Sequence, residues 1–356
     1  MSFRKDYILY SKNNESANEA FSSGLNFSNT SPEIISSLFS QELKTGMHGL
    51  CFSLYEDGQK PGDIISEEQV RRRMEIIAPF TKWVRSFSCT EGNEFIPKIA
   101  KEYGIKTLVG AWLGNDPEVN EKEIEVLIQL ANEGYVDIAA VGNEVMYRKD
   151  LTEDELLDFI AKVKNEIPAN IPVGYVDAYY EFTIKPRITE ACDVILTNCY
   201  PYWEGSTIDY SLAHMKSMYY QALDAGKGKK VIITETGWPS QGESFKDSHP
   251  SKENAMMYFI NTQLWSKESN VDILTTAWTN FDYKGNFDPV ASSDTKTYKF
   301  EFDGVKEITL QNVTSVNNPK IQTGFYPKVI NDFNVFYNGY DLYVNYTDEE
   351  IQTSIS

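Results

Sequence analysis

Eight short apolar runs, separated mostly by helical patterns and never by a hairpin signal, constrain this fold more than any other feature of the chain. They lie at 47–55 (MHGLCFSLY), 82–89 (KWVRSFSC), 105–113 (IKTLVGAWL), 135–144 (YVDIAAVGNE), 171–179 (IPVGYVDAY), 192–203 (CDVILTNCYPYW), 230–235 (KVIITE) and 271–281 (VDILTTAWTNF). Near-continuous apolar runs suit strands buried on both faces, and strands connected through helices run parallel. Eight such units close a barrel, so the expected fold class is α/β, a (β/α)8 TIM barrel. At 356 residues the chain has room for one barrel plus an appendage.

The helical segments carry their own punctuation. Ser66 with Gln69 has capping-box spacing, Thr152-Glu153-Asp154-Glu155 caps a further helix, and Asp116-Pro117 starts another. Gly104 and Gly226 stand where helices should stop. Residues 1–45 are polar, with one helical run at 32–43, and read as an N-terminal arm; the barrel is expected over 46–285. From 286 to 356 the pattern changes. TYKFEFDGVKEITLQ alternates apolar and polar residues, and Asn338-Gly339 is a hairpin signal between aromatic strands. This tail is expected to be a small C-terminal antiparallel β appendage packed on the barrel, with a separate module as the alternative.

A balance of 33 basic to 52 acidic residues, net −19, argues against nucleic acid and anionic membrane surfaces as partners. It suits an uncharged substrate, and plain solubility equally well. His48, His214 and His249 are scattered, and Cys51, Cys89, Cys192 and Cys199 lack metal-ligand spacing. No metal or organic cofactor is expected, and the thiols read as buried and free. No apolar stretch reaches the roughly 18 residues of a membrane span, and MSFRKDYILYSKNN lacks the apolar segment of a secretion signal. The compartment is therefore open: cytoplasmic, or exported if a leader preceded this sequence. A monomer is expected.

Two of the runs deliver a glutamate to a strand end. VIITETGWPS carries Glu235 into a Gly- and Pro-containing turn, and IAAVGNEVMYR carries Glu144. In a parallel barrel both carboxylates reach the same mouth, where such folds place their chemistry. Glycoside hydrolysis needs such a pair, one protonated and one ionised. On spacing alone, two unrelated loop acids are the alternative. The 22 Tyr, 19 Phe and 6 Trp include rings that could serve as sugar platforms, although most rings in any protein are core.

VGNEV followed by Arg148, together with TETGWPSQG, resembles the two catalytic signatures of glycoside hydrolase family 17, the β-1,3-glucanases and glucanosyltransferases. Similar segments recur at other strand ends (HGLCFS, WVRSFSC, GIKTLVGAWLG, PVGYVDAYYEF, TNCYPYWEG), so the resemblance covers about 45–279. It implies Glu144 as acid/base and Glu235 as nucleophile of a retaining double displacement. It implies Asn143 on the sugar 2-hydroxyl, with an ordinary cap or turn asparagine as the alternative, and Tyr200 with its hydroxyl beside the nucleophile or, alternatively, buried as core. Arg85 is expected either to ion-pair with Glu235 or to be a structural barrel arginine. Tyr202 and Trp203 are the expected stacking rings, followed by Tyr175, Trp112 and Tyr55; Trp238 either touches substrate or packs the turn.

The sequence departs from its bacterial relatives at the last strand. Asn280-Phe281-Asp282-Tyr283-Lys284-Gly285 lacks the Glu and Trp of the family's Phe-Asp-Glu-x-Trp-Lys run, and Leu54 replaces a common proline. The first change should remodel one cleft wall without touching the carboxylates. The expected activity is hydrolysis of laminarin-type β-1,3-glucan, with transfer to a second sugar or non-catalytic glucan binding as rivals. A polymeric substrate favours a secreted, periplasmic or surface-attached protein, given a leader.

Overall fold

The structure, a computed structural model, describes residues 24–56 and 58–275. Its strands are β1 (Met47–Cys51), β2 (Thr81–Ser86), β3 (Lys106–Ala111), β4 (Ile138–Asn143), β5 (Val173–Ala178), β6 (Val194–Asn198), β7 (Lys230–Thr236) and β8 (Ile273–Thr275). Each pairs parallel with the next and β8 returns to β1, closing the expected (β/α)8 barrel. The C-terminal appendage, the end of the expected eighth strand and the departure at 280–285 lie outside the described residues.

Side-chain parity sorts the strands' two faces. Leu108, Ile138, Ala140, Val176, Leu196, Ile232 and Leu274 meet in one cluster inside the barrel. Their neighbours Val109, Ala139, Tyr175, Ile195, Ile233 and Ile273 belong to the cluster under the surrounding helices. Those helices are α1 (Pro32–Lys44), α2 (Glu67–Ile77), α3 (Phe95–Glu102), α4 (Pro117–Asn132), α5 (Val145–Arg148), α6 (Glu153–Glu166), α7 (Glu181–Ile184), α8 (Pro186–Ala191), α9 (Pro201–Glu204), α10 (Ile208–Ala225) and α11 (Lys252–Ser269).

Helix α1 starts at an N-cap, Ser31, with proline in its first turn, and buries Ile35, Phe39 and Leu43. It packs on α11, with the Phe39 and Phe259 rings edge to face at 4.8 Å. The same apolar cluster takes in Met47, Leu50, Ile77 and Ile260. This helix thereby covers the barrel between α11 and α2.

Local details differ from expectation for identifiable reasons. β2 ends at Ser86, not at residue 89, because a buried carboxylate, Glu123 on α4, draws the chain away: it accepts from Ser88 Oγ (2.6 Å), Cys89 N (3.1 Å) and Thr90 Oγ1. β1 ends at Cys51, opposite Arg85, rather than at residue 55. Thr152 and Glu155 form a full capping box, but Ser66 caps one way only. Gln69 instead turns its side chain to Leu54 O (2.7 Å) and Gln59 Oε1 (2.6 Å). Gly104 ends α3 with φ +71°, whereas Gly226 is right-handed and the positive φ falls on Lys227 and Gly228. All four cysteines are free and buried, as expected. Among the described residues no helix is long and apolar enough to cross a membrane.

Candidate active site

Strand parity alone would not aim both glutamates and Asn143 into the barrel mouth. Two irregularities do so. Between β4 and β5, Ala140 faces Gly174 while Asn143 faces Val176, so β4 carries one extra residue. Between β6 and β7, Thr197 faces Ile233 and Asn198 faces Glu235, which gives β7 the extra residue. Such bulges re-aim the side chains that follow them. Gly142 supplies the backbone that the first requires, at φ +84°.

The carboxylates then enter unlike surroundings. Glu235, 8% exposed, is held as an anion would be. Arg85 Nη1 donates to its Oε1 at 2.7 Å, Asn198 Nδ2 to the same oxygen at 3.0 Å, and Tyr200 Oη to Oε2 at 2.8 Å. Its backbone is fixed by the Cys199 N–H, which donates to Glu235 O at 2.9 Å. The Arg85 guanidinium is fully buried. Burial, the largest single influence, would weaken its charge, but Glu235 together with Cys51 and Tyr200 outweighs it and its pKa is raised.

Glu144 accepts from Asn198 Nδ2 at 2.8 Å and sits near Arg148 and Arg85. Burial first, and the charge of Glu235 second, push its carboxyl upward; Asn198 and the two arginines only partly offset this. A carboxyl pushed upward by burial, beside a second carboxyl held by an arginine, is suited to serve as the acid of such a pair. One amide, Asn198 Nδ2, bridges both. Bonds of 2.8 and 3.0 Å to a shared nitrogen keep the two Oε1 atoms within about 6 Å of each other. The amide's orientation follows from Thr234, whose hydroxyl donates to Asn198 Oδ1 at 2.9 Å.

Asn143 Oδ1 accepts from Arg85 Nη2 at 2.6 Å, which turns the donor-only NH2 of Asn143 away from the arginine. Among the described residues that NH2 has no protein acceptor. Arg148 braces the same corner: Nη1 donates to Asn143 O, Nη2 to Leu113 O at 3.0 Å, and Nε to Asp150 Oδ2 at 2.6 Å. Its guanidinium also lies 4.6 Å from the Trp112 ring centroid, and Trp112 is 39% exposed.

Arg85, Asn143, Glu144, Tyr200 and Glu235 therefore converge. Three expected substrate contacts do not join them. Tyr175 is 1% exposed on the outer face of β5, because residue 176 points inward and 175 cannot. Tyr202, 2% exposed, and Trp238, 0% exposed, pack edge to face with ring centroids 5.2 Å apart. Their polar atoms are spent on main chain, Tyr202 Oη on Glu243 O (2.6 Å) and Trp238 Nε1 on His249 O (2.9 Å). Trp238 thus packs the turn. Trp203 remains half-buried beside Tyr202, with a centroid distance of 5.0 Å, and Tyr55 is half-buried.

Asn198 and Thr234 were absent from the expected site. The signal was available: Asn198 precedes Tyr200 by two residues at the end of an apolar run. Among the described residues no group of three or more His, Cys, Asp or Glu side chains could hold a metal ion.

Comparison with known proteins finds relatives in sequence and in fold. Residues 49–288 match the BtgE/BtgC glycoside hydrolase domain. A glucan 1,3-beta-glucosidase of Candida albicans is 28% identical over 205 residues, which cover 51% of this chain and 66% of that protein, just under two thirds of its length. One from Saccharomyces cerevisiae is 24% identical over 247 residues, 63% of this chain and 79% of that one. Among solved structures, the glycoside hydrolase family 17 beta-1,3-glucanosyltransferase of Rhizomucor miehei superposes with a TM-score of 0.60 at 29% identity, covering 69% of this chain and 90% of its own. An active-site mutant of it, in complex with laminaritriose, is equally similar.

Proposed function

Because the chain belongs to the BtgE/BtgC glycoside hydrolase family, we propose that it cleaves β-1,3-glucan with retention of configuration, through a covalent intermediate on Glu235. The observation that carries this reading is the Asn198 amide hydrogen-bonded to both carboxylates, at 2.8 and 3.0 Å. Retaining enzymes hold their carboxyl groups about 5–5.5 Å apart, while inverting ones leave a wider gap for water. The named activities of the Candida and Rhizomucor proteins supply the substrate class.

In the first step a Glu235 oxygen attacks the anomeric carbon while Glu144 gives its proton to the departing glycosidic oxygen. Arg85 and Tyr200 orient the nucleophile's two oxygens, and the Asn143 NH2, which has no acceptor among the described residues, can donate to the sugar 2-hydroxyl. Once Glu235 is esterified its negative charge is gone, so one cause of the raised Glu144 pKa disappears. Glu144 then ionises more readily and takes the proton of the incoming water. Since the first step needs Glu144 protonated, kcat/KM should fall on the alkaline side with an apparent pKa above the ordinary carboxylate value of 4.5. A pH–rate profile checks this; an alkaline limb at or below that value would contradict the acid assignment.

Transfer to a second glucan uses the same residues, with a sugar hydroxyl in place of water. It is favoured by Trp112, an exposed ring at the end of β3, beside the strand that carries Glu144. A leaving or acceptor sugar would sit on that acid/base side. Incubation with laminari-oligosaccharides distinguishes the readings: shorter products mean hydrolysis, shorter and longer together mean transfer. Unchanged oligosaccharide would mean that neither reaction occurs and would refute the proposal.

A further inference from the structure

Glu144 occupies a backbone conformation that glutamate seldom adopts. Its φ and ψ are +53° and 27°, in the left-handed region, and it is the N-cap of α5. An N-cap side chain would ordinarily accept from the first N–H groups of its helix. Glu144 does not, because its carboxylate points to Asn198 instead. Strain and orphaned donors must therefore be relieved from elsewhere.

They are relieved by three consecutive residues of β5. Val176 O accepts from Glu144 N at 2.8 Å, Tyr175 Oη from Met146 N at 2.9 Å, and Asp177 Oδ2 from Tyr147 N at 3.4 Å. Tyr175 Oη in turn donates to Asp177 Oδ2, and Ala178 N donates to Asp177 Oδ1 at 2.7 Å. Tyr175 and Asp177 are 1% and 0% exposed, so neither can reach a substrate. We propose that Tyr175 and Asp177 form a positioning pair that caps α5 in place of Glu144 and so frees the Glu144 carboxyl for its work as acid/base.

The chemistry of the pair fits this role. A buried carboxyl beside another carboxyl is costly, and burial pushes Asp177 up to about 8, with Glu144 and Glu181 adding to the rise while Tyr175 and the Ala178 N–H oppose it. A group with only a packing task would be apolar here. Tyr175 has a second anchor, its ring tilted against Phe182 at 6.4 Å, so removing the hydroxyl alone should leave the packing in place.

The inference rests on the proposed acid/base role of Glu144, and one comparison tests the two separately. Tyr175→Phe, Asp177→Asn and Glu144→Gln are assayed on laminarin and on 2,4-dinitrophenyl β-laminaribioside. The aryl substrate's first step needs no proton donor, since dinitrophenolate leaves unaided. Tyr175→Phe and Asp177→Asn should lower kcat/KM on laminarin by roughly 10- to 100-fold and on the aryl substrate by less than about 3-fold. Azide, which attacks the glycosyl-enzyme without a base, should raise their kcat on the aryl substrate. A partly unfolded fraction would depress both substrates equally, so the ratio is independent of stability. Equal losses on the two substrates, or undiminished laminarin turnover beside an inactive Glu144→Gln, overturn the positioning pair. Laminarin turnover by Glu144→Gln itself overturns the functional reading instead.

Discussion

Replacing Glu235 with Gln is expected to lower kcat on a linear β-1,3-glucan by at least about 10⁴-fold while leaving glucan binding nearly unchanged. The amide keeps the shape of the carboxylate. Its oxygen can still accept from Arg85 and its NH2 can donate to the Tyr200 oxygen, so the packing around 2.7 and 2.8 Å contacts survives. What is lost is the anion proposed as nucleophile. Titrating laminarihexaose by calorimetry and measuring turnover on the same preparation separates the two quantities. Wild-type turnover would remove Glu235 from the chemistry, and loss of binding in step with turnover would make it a binding residue.

The second large effect is expected at Arg85. Its guanidinium joins Glu235, the Thr234 carbonyl (3.1 Å) and Asn143 while stacking 4.3 Å from the Phe87 ring centroid. Arg85→Leu leaves a buried carboxylate without its counter-charge, a change that costs about 3–5 kcal/mol. It also removes the donor that holds Glu235 and Asn143 in place, so kcat should fall by at least about 10²-fold. Arg85→Lys should recover part of the stability but little activity, because an ammonium cannot bridge Glu235 and Asn143 together. Denaturant unfolding and turnover measurements on the same preparation check both halves. A stable, active Arg85→Leu would reduce the residue to barrel packing.

The barrel was legible because its determinants are local and repeated. Apolar runs, caps such as Thr152–Glu155 and Asp116, and a glycine stop at Gly104 are each readable within a few residues. The carboxylate pair was legible because parallel closure brings strand ends to one mouth, whatever the details of register. The details escaped for the same physical reason. Only the extra residue in β4 and in β7 decides which side chains turn inward, and a single added residue inverts strand parity. Tyr175 was expected at the cleft but stands behind it, because on the regular strand β5 residue 176 faces inward, and Asn198 was passed over although it touches both glutamates. Proximity to a strand end could not rank Tyr202 and Trp238 either, since their burial depends on each other and on a turn some forty residues away from Tyr202, around Glu243. The covering of the barrel by α1 was equally hidden, because its partner α11 lies over two hundred residues along the chain.

The account depends most directly on the stereochemistry of the bond that is cut. Following the first minutes of laminari-oligosaccharide cleavage by proton NMR reads the anomeric configuration of the new reducing end before it equilibrates. Two carboxylates bridged by one amide, close enough for direct attack, predict that the β-anomer appears first. Initial release of the α-anomer would mean inversion by a water held between Glu144 and Glu235, and would contradict the covalent role assigned to Glu235.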